Sequence, residues 1–328
     1  MAIEVATRYP QISSKAYEHP ADRAATSALH AVPLLDTVIK RLTDFGHERR
    51  LRQIILGNSI RLGGGQVPEV WGAYVQCTTI LDLDTVPDLY VTNEADVNAT
   101  TIGAKSPLVV VNSSLLGSYR PNEVQTVLAH EVGHVLSEHY LYTTALILLK
   151  QFMDGALPKS LLLGLPTRAL YLALLEWSRA AELSADRAAA LVMADPLEPC
   201  RVLMRLAGGA LPGMNFEAFL KQATDYHNED DLFSRHSRFW VELKLNHPFA
   251  VRRVRELVEW VQAGDFDRIR GGDYPRRGHE PPPTSQFDEA VAHYSERFSR
   301  VLERLAGDVE KLGSQLKDWL SRGSREPG

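Results

Sequence analysis

His130-Glu131-Val132-Gly133-His134 is an HExxH sequence, and its spacing is that of a metal grip. Residues four apart lie on one face of a helix, so two imidazoles can hold one ion between them. The stretch from Pro121 to His139, PNEVQTVLAHEVGHVLSEH, reads as that helix. Pro121 suits its first turn, and Glu123 puts an acid where the helix dipole favours one. Val124, Val127, Leu128, Val132, Val135 and Leu136 form a broad apolar sector that also contains Glu131. A carboxylate there loses hydration unless it has a partner or a task, and water on a metal beside the histidines supplies both. The alternative is a chance match on a solvated helix face. The apolar surround, Ala129 and Gly133, and the downstream sequence all weigh against it.

Downstream, Trp177–Met193 (WSRAAELSADRAAALVM) places Glu182 and Asp186 one turn apart on one face. Ala181, Ala185, Ala188 and Ala189 surround them, small side chains that let another helix approach closely. A carboxylate that must reach a metal held by a neighbouring helix needs that closeness. Glu176 is the rival ligand, without an acid four residues on, and a solvated acidic edge is the bland alternative. Two histidines and one carboxylate leave a zinc position open, as in catalytic rather than structural sites. Zinc would acidify a water, Glu131 would take its proton, and the resulting hydroxide would attack a carbonyl. Asp186 is expected on the outward nitrogen of His130, fixing its tautomer. One Zn2+ per chain and hydrolysis of an amide bond follow.

LAHEVGHVLSEH, then AELSADRAA, then NHPFAVRR together resemble the HtpX-like zinc endopeptidases, gluzincins that include the CAAX prenyl endopeptidase. The similarity runs from about Tyr90 to Leu257, and the paired HExxH and ExxxD motifs, with a His-Pro-x-x-x-Arg element, carry it. The resemblance implies an α+β, mainly helical fold with a small antiparallel sheet and a helical core. It implies His130, His134 and Glu182 as ligands, Glu131 as general base and Asp186 behind a ligand. It further implies His247 near the metal, steadying the oxyanion or filling the open position at rest. Extended substrate would add to an edge strand before the HExxH helix, here Val109, Val110, Val111 and Asn112. Many relatives carry membrane spans between the two motifs. This chain does not, a departure that speaks against prenyl-protein chemistry.

Composition sets the frame. The chain has 328 residues, 45% of them apolar and 23% charged, the balance of an ordinary globular protein. A net charge of −5 gives no reason to expect nucleic acid. Cys77 and Cys200 form no CxxC pair and suit a reducing compartment. The N-terminal MAIEVATRYP has no secretory pattern, and the apolar Leu141–Leu175 is broken by Lys150, Asp154, Lys159 and Arg168. It reads as a buried helical hairpin that could rest against a bilayer. Cytoplasmic location with at most peripheral membrane contact is expected.

Four segments are expected. Residues 1–85 form helices packed on the core, and residues 86–263 form the metallopeptidase domain, with strands at Asp88–Thr92 and Leu108–Asn112 and Asn98–Ile102 pairing between them. Residues 264–285, rich in Gly, Pro and Arg, read as a linker. Residues 286–328 carry a long amphipathic helix, Phe287 to Leu320, suited to packing back or self-association. Tyr226–Arg238 reads as a polar loop, and His139 as structural. The leading expectation is a zinc endopeptidase acting on proteins or peptides, with quality control of unfolded chains as its setting. A chaperone-like scaffold with a structural zinc, or a zinc amidase acting on a small molecule, are the alternatives.

Overall fold

The computed structural model describes residues 7–30, 39, 47–104, 106–155, 167–209, 211–228 and 249–280. His247 and the C-terminal helix expected over 286–328 lie outside them. The chain runs through α1 (Pro20–His30), α2 (His47–Asn58), β1 (Ser59–Arg61), α3 (Pro68–Ile80), β2 (Asp88–Thr92), β3 (Ala99–Ile102) and β4 (Leu108–Asn112). It continues through α4 (Ser113–Ser118), α5 (Pro121–Leu136), α6 (Tyr140–Met153), α7 (Thr167–Met193), α8 (Leu197–Gly208), α9 (Phe216–Asn228), α10 (Ala250–Gln262) and α11 (Asp265–Arg270). The fold is α+β and mainly helical, as expected.

The sheet is mixed, not antiparallel, and its order is β1-β2-β4-β3. β2 and β4 are direct parallel neighbours, from Asp88 opposite Leu108 to Thr92 opposite Asn112. β3 pairs antiparallel with the far side of β4 instead of lying between the two. Two sequence features account for the swap. The short turn after β3, where Gly103 takes φ +143° and a Cβ would meet Ser106 O at 2.6 Å, forces β3 and β4 to be hairpin neighbours. LVVVN is apolar at successive positions and so needs cover on both faces, whereas ATTI suits an edge. Val109 and Val111 face the main core, and Leu108 and Val110 face Leu51 and Ile55 of α2.

That main core is shared across the segments. Tyr9, Ile12, Tyr17 and Tyr74 pack with Leu128 and Val132 of α5, Ala188 and Leu191 of α7, and Leu257 and Trp260 of α10. A second cluster joins Ala25 and Leu29 of α1 to Leu148 and Leu149 of α6 and Leu170 and Trp177 of α7, which buries the described flanks of the apolar Leu141–Leu175 segment. Among the described residues no helix is long and apolar enough to cross a membrane.

Two boundaries differ from expectation. Residues 264–280 are not a linker: α11 buries Phe266 and Ile269, and the Arg277 backbone N–H donates to Gln11 O at 2.7 Å. Gly and Pro there shape tight turns rather than a tether. Tyr226 to Asn228, expected in a loop, close α9.

Candidate metal centre

α5 starts as its sequence dictates. Pro121 occupies the first turn, and the Glu123 carboxylate accepts the Arg120 backbone N–H at 2.8 Å. The helix then buries Leu128, Ala129, Glu131, Val132 and Gly133 together, a run continuous enough to need cover from more than one side. α7 supplies part of it, crossing α5 at Gly133. A Cβ on that glycine would lie 2.6 Å from Ala188 Cβ and 3.3 Å from Ala185 Cα. Gly133, Ala185 and Ala188 thus set how near the two helices come.

That approach brings three ligand-type side chains together. His130 Nε2 and His134 Nε2 are 3.1 Å apart, and each lies 3.5 Å from an oxygen of Glu182. His130, His134 and Glu182 each offer a ligand atom within 4.8 Å of the other two. Two neutral imidazole nitrogens and a carboxylate form a donor set that suits zinc and related cations. Local charge agrees: three buried carboxylates, Glu131, Glu182 and Asp186, gather here, and Arg253 pairs with the last two.

The outward nitrogens are held too. His130 Nδ1 is 3.1 Å from Asp186 Oδ1. Arg253 of α10 donates from Nε to Asp186 Oδ2 at 2.7 Å and from Nη2 to Oδ1 at 2.6 Å, and its Nη1 lies 2.9 Å from Glu182 Oε2. His134 Nδ1 is 2.8 Å from His139 Nδ1. Burial opposes charge on both rings, but Asp186 and Glu182 overcome it at His130 and push its pKa up to about 10. At His134 burial prevails, helped by the neighbouring His130 and His139, and the pKa falls. Glu131, 4% exposed, accepts a hydrogen bond from the Thr101 hydroxyl at 2.7 Å to Oε2.

Glu131 and the expected ligands share one cleft of about 800 Å³, lined on its flanks by Leu146, Tyr171, Leu175, Val202, Leu206 and Phe249. Glu176, the rival ligand, is not among them. Six residues before Glu182, it points roughly a third of a turn away, pairs with Arg179 at 3.1 Å and lines a separate small cavity. Val109–Asn112 are not an edge: β4 is hydrogen-bonded on both sides. The strand that lines the cleft is β3, with Val97 and Asn98 before it. Its antiparallel hairpin with β4 carries it outward, so the edge expected of β4 falls to β3.

Sequence reasoning missed Arg253, Thr101, His139 and Asp22 as parts of this environment. The arginine reaching Asp186 stands one residue beyond the Arg of the His-Pro-x-x-x-Arg element. Thr101 and Asp22 carry no local signal. Only the five-residue step from His134 to His139, which leaves the helix face that holds the ligands, hinted at a different partner.

The chain was compared with known proteins. The profile of peptidase family M48 matches residues 77–261. The plastoglobule-localized metallopeptidase 48, chloroplastic, of Arabidopsis thaliana is 33% identical over 267 residues, 80% of this chain and 76% of the relative. No solved structure gives a significant match.

Proposed function

The chain belongs to peptidase family M48 and is a metallopeptidase, a hydrolase of peptide bonds, and from that premise we propose that it is a zinc endopeptidase in which His130, His134 and Glu182 hold the metal and Glu131 is the general base. The observation that carries this is the convergence of three ligand atoms from two helices beside a buried carboxylate. When bound, zinc supplies Lewis acidity toward a carbonyl oxygen and makes water a stronger acid. Thr101 occupies Oε2 of Glu131, so Oε1 is the oxygen to take a proton from water and return it to the leaving amine. Asp186 and Arg253 hold His130 and Glu182 in place. His247 precedes α10 in the chain, and Phe249 before that helix and Arg253 within it line the cleft; in this proposal His247 steadies the oxyanion.

Protein and peptide chains are the substrates. Among the described residues β3 pairs only with β4, so its other edge can accept an extended segment by strand addition. The aliphatic and aromatic cleft walls favour bulky apolar side chains beside the scissile bond. That edge favours an endopeptidase over a small-molecule amidase. Cytoplasmic action suits the two buried, unbridged cysteines, and the plastoglobule setting in the relative's name is the competing location.

Digestion of casein and a peptide library, wild type against Glu131→Gln with zinc content measured on both, tests the proposal. About a 10²–10⁴-fold loss of activity with one zinc retained is expected. Full activity in Glu131→Gln would return the zinc to a structural role and favour the scaffold alternative.

A further inference from the structure

Asp22 of α1 lies 117 residues from His139 in the chain, yet its Oδ2 sits 3.0 Å from His139 Nε2. The far side of the same imidazole, Nδ1, is 2.8 Å from His134 Nδ1. All three are buried: Asp22 is 2% exposed, His139 4% and His134 9%. With the His139 ring neutral, the distances place the protons. A contact of 2.8 Å between two ring nitrogens needs one proton between them. The Asp22 carboxylate accepts only, so His139 keeps its proton on Nε2 and offers the Nδ1 lone pair to His134. His134 therefore donates from Nδ1, and its Nε2 lone pair faces His130 Nε2 and Glu182 Oε1.

We infer that Asp22 and His139 are positioning residues of the metal centre, a carboxylate–imidazole relay that sets the tautomer and the ring orientation of His134. The inference rests on His134 being a ligand, as proposed above. Its geometry is otherwise independent of that proposal, and the surroundings show a built arrangement. Ser184 of α7 stands between Glu182 and Asp186 and donates to Asp22 Oδ2 at 2.6 Å, tying α1 to the turn that carries the carboxylates. Trp177 packs edge-on against His139, with ring centroids 5.5 Å apart, and its Nε1 donates to Thr26 of α1 at 2.9 Å. Thr26 in turn donates to Asp22 Oδ1 at 3.3 Å. Both oxygens of Asp22 are thus engaged and the imidazole has no room to turn.

The relay also crosses a boundary. Residues 77–261 match the family profile, and Asp22 lies outside them. The N-terminal helix therefore completes the environment of a ligand carried by the family's common part. Such outer partners typically raise metal affinity about 10–100-fold by orienting the ligand and making it more basic.

The full chain is titrated with zinc against a chromophoric chelator, and with Co2+ by visible absorption, with the melting temperature of the metal-free protein recorded alongside. His139→Phe keeps the ring against Trp177 but removes the acceptor, and His139→Asn restores an acceptor near the Nδ1 position. The expected result is zinc binding about 10–100-fold weaker in His139→Phe, with an altered Co2+ spectrum, and partial recovery in His139→Asn. Asp22→Asn, close to isosteric, removes the charge and should weaken zinc by a smaller factor if His139→Phe does not fold. Unchanged zinc affinity and Co2+ spectrum in every variant that folds, with only the melting temperature lowered, would overturn the relay and leave the ligand assignment standing. A wild-type chain that binds no zinc would overturn both.

Discussion

His130 and His134 share one face of α5, yet what stands behind each differs in kind. Behind His130 is a direct ionic pair: Asp186 on its Nδ1, locked by two donors from Arg253, which also reaches Glu182. Behind His134 the carboxylate is one imidazole further away and comes from α1. The first support is built from α7 and α10, within the part that matches the family, and the second draws on the N-terminal helix. An ionic support costs desolvation and fails badly if one partner is lost, whereas a carboxylate acting through an intervening neutral imidazole fails gradually. The two histidines should therefore respond differently when their supports are cut.

The largest effect is expected on the ionic side. Arg253→Leu leaves Asp186 and Glu182 buried without their cation, which should cost about 3–5 kcal/mol of stability, read by chemical denaturation. Zinc should be lost from the protein that still folds. A cost below 1 kcal/mol would show that the ionic support is not what distinguishes the two sides.

Acid should strike the α1 side. His19, just before α1, accepts the Ala21 N–H on Nδ1 and meets Glu256 Oε2 at 3.1 Å on Nε2, so both nitrogens are used in the neutral form. Burial, aided by the charges of Arg187 and Arg252 and opposed by Glu256, pushes its pKa from 6.5 to about 4. The unfolded chain binds that proton first, so the stabilisation is full above pH 6.5, declines as pH falls, and is gone below about 4. The full shift corresponds to about 3 kcal/mol. Denaturation curves between pH 7 and 4 should steepen accordingly, and His19→Gln should flatten them.

Gly133→Ala tests what both sides share. Its methyl would press on Ala188 and part α5 from α7, at a cost of about 1–3 kcal/mol, with weaker zinc binding by chelator competition. Glu123→Gln should spare the metal site. It removes the buried charge that Arg120 and Arg205 pair with at the start of α5, at a cost of about 1–3 kcal/mol, far from both supports, and should leave the activity of folded protein unchanged in a casein assay.

Much of the centre could be read from spacing alone, because HExxH and ExxxD each report a local helix face. Alanines 181, 185, 188 and 189 announced a close neighbour, and α5 is that neighbour at Gly133. Partners distant in sequence left no such trace. In α1, Asp22 reads as an ordinary first-turn acid, and nothing near it points to His139. LVVVN was legible as a strand but not that β2 would run parallel beside it and take its edge, since register and order depend on the β3–β4 turn. Gly, Pro and Arg over 264–280 imitate a tether, because tight turns and flexible links use the same residues.

Anomalous diffraction at the zinc edge, on crystals of the purified full chain, tests the centre most directly. One peak is predicted, about 2.0–2.2 Å from His130 Nε2, His134 Nε2 and a carboxylate oxygen of Glu182. A zinc peak elsewhere, or none between these side chains in protein that digests casein, would contradict the account.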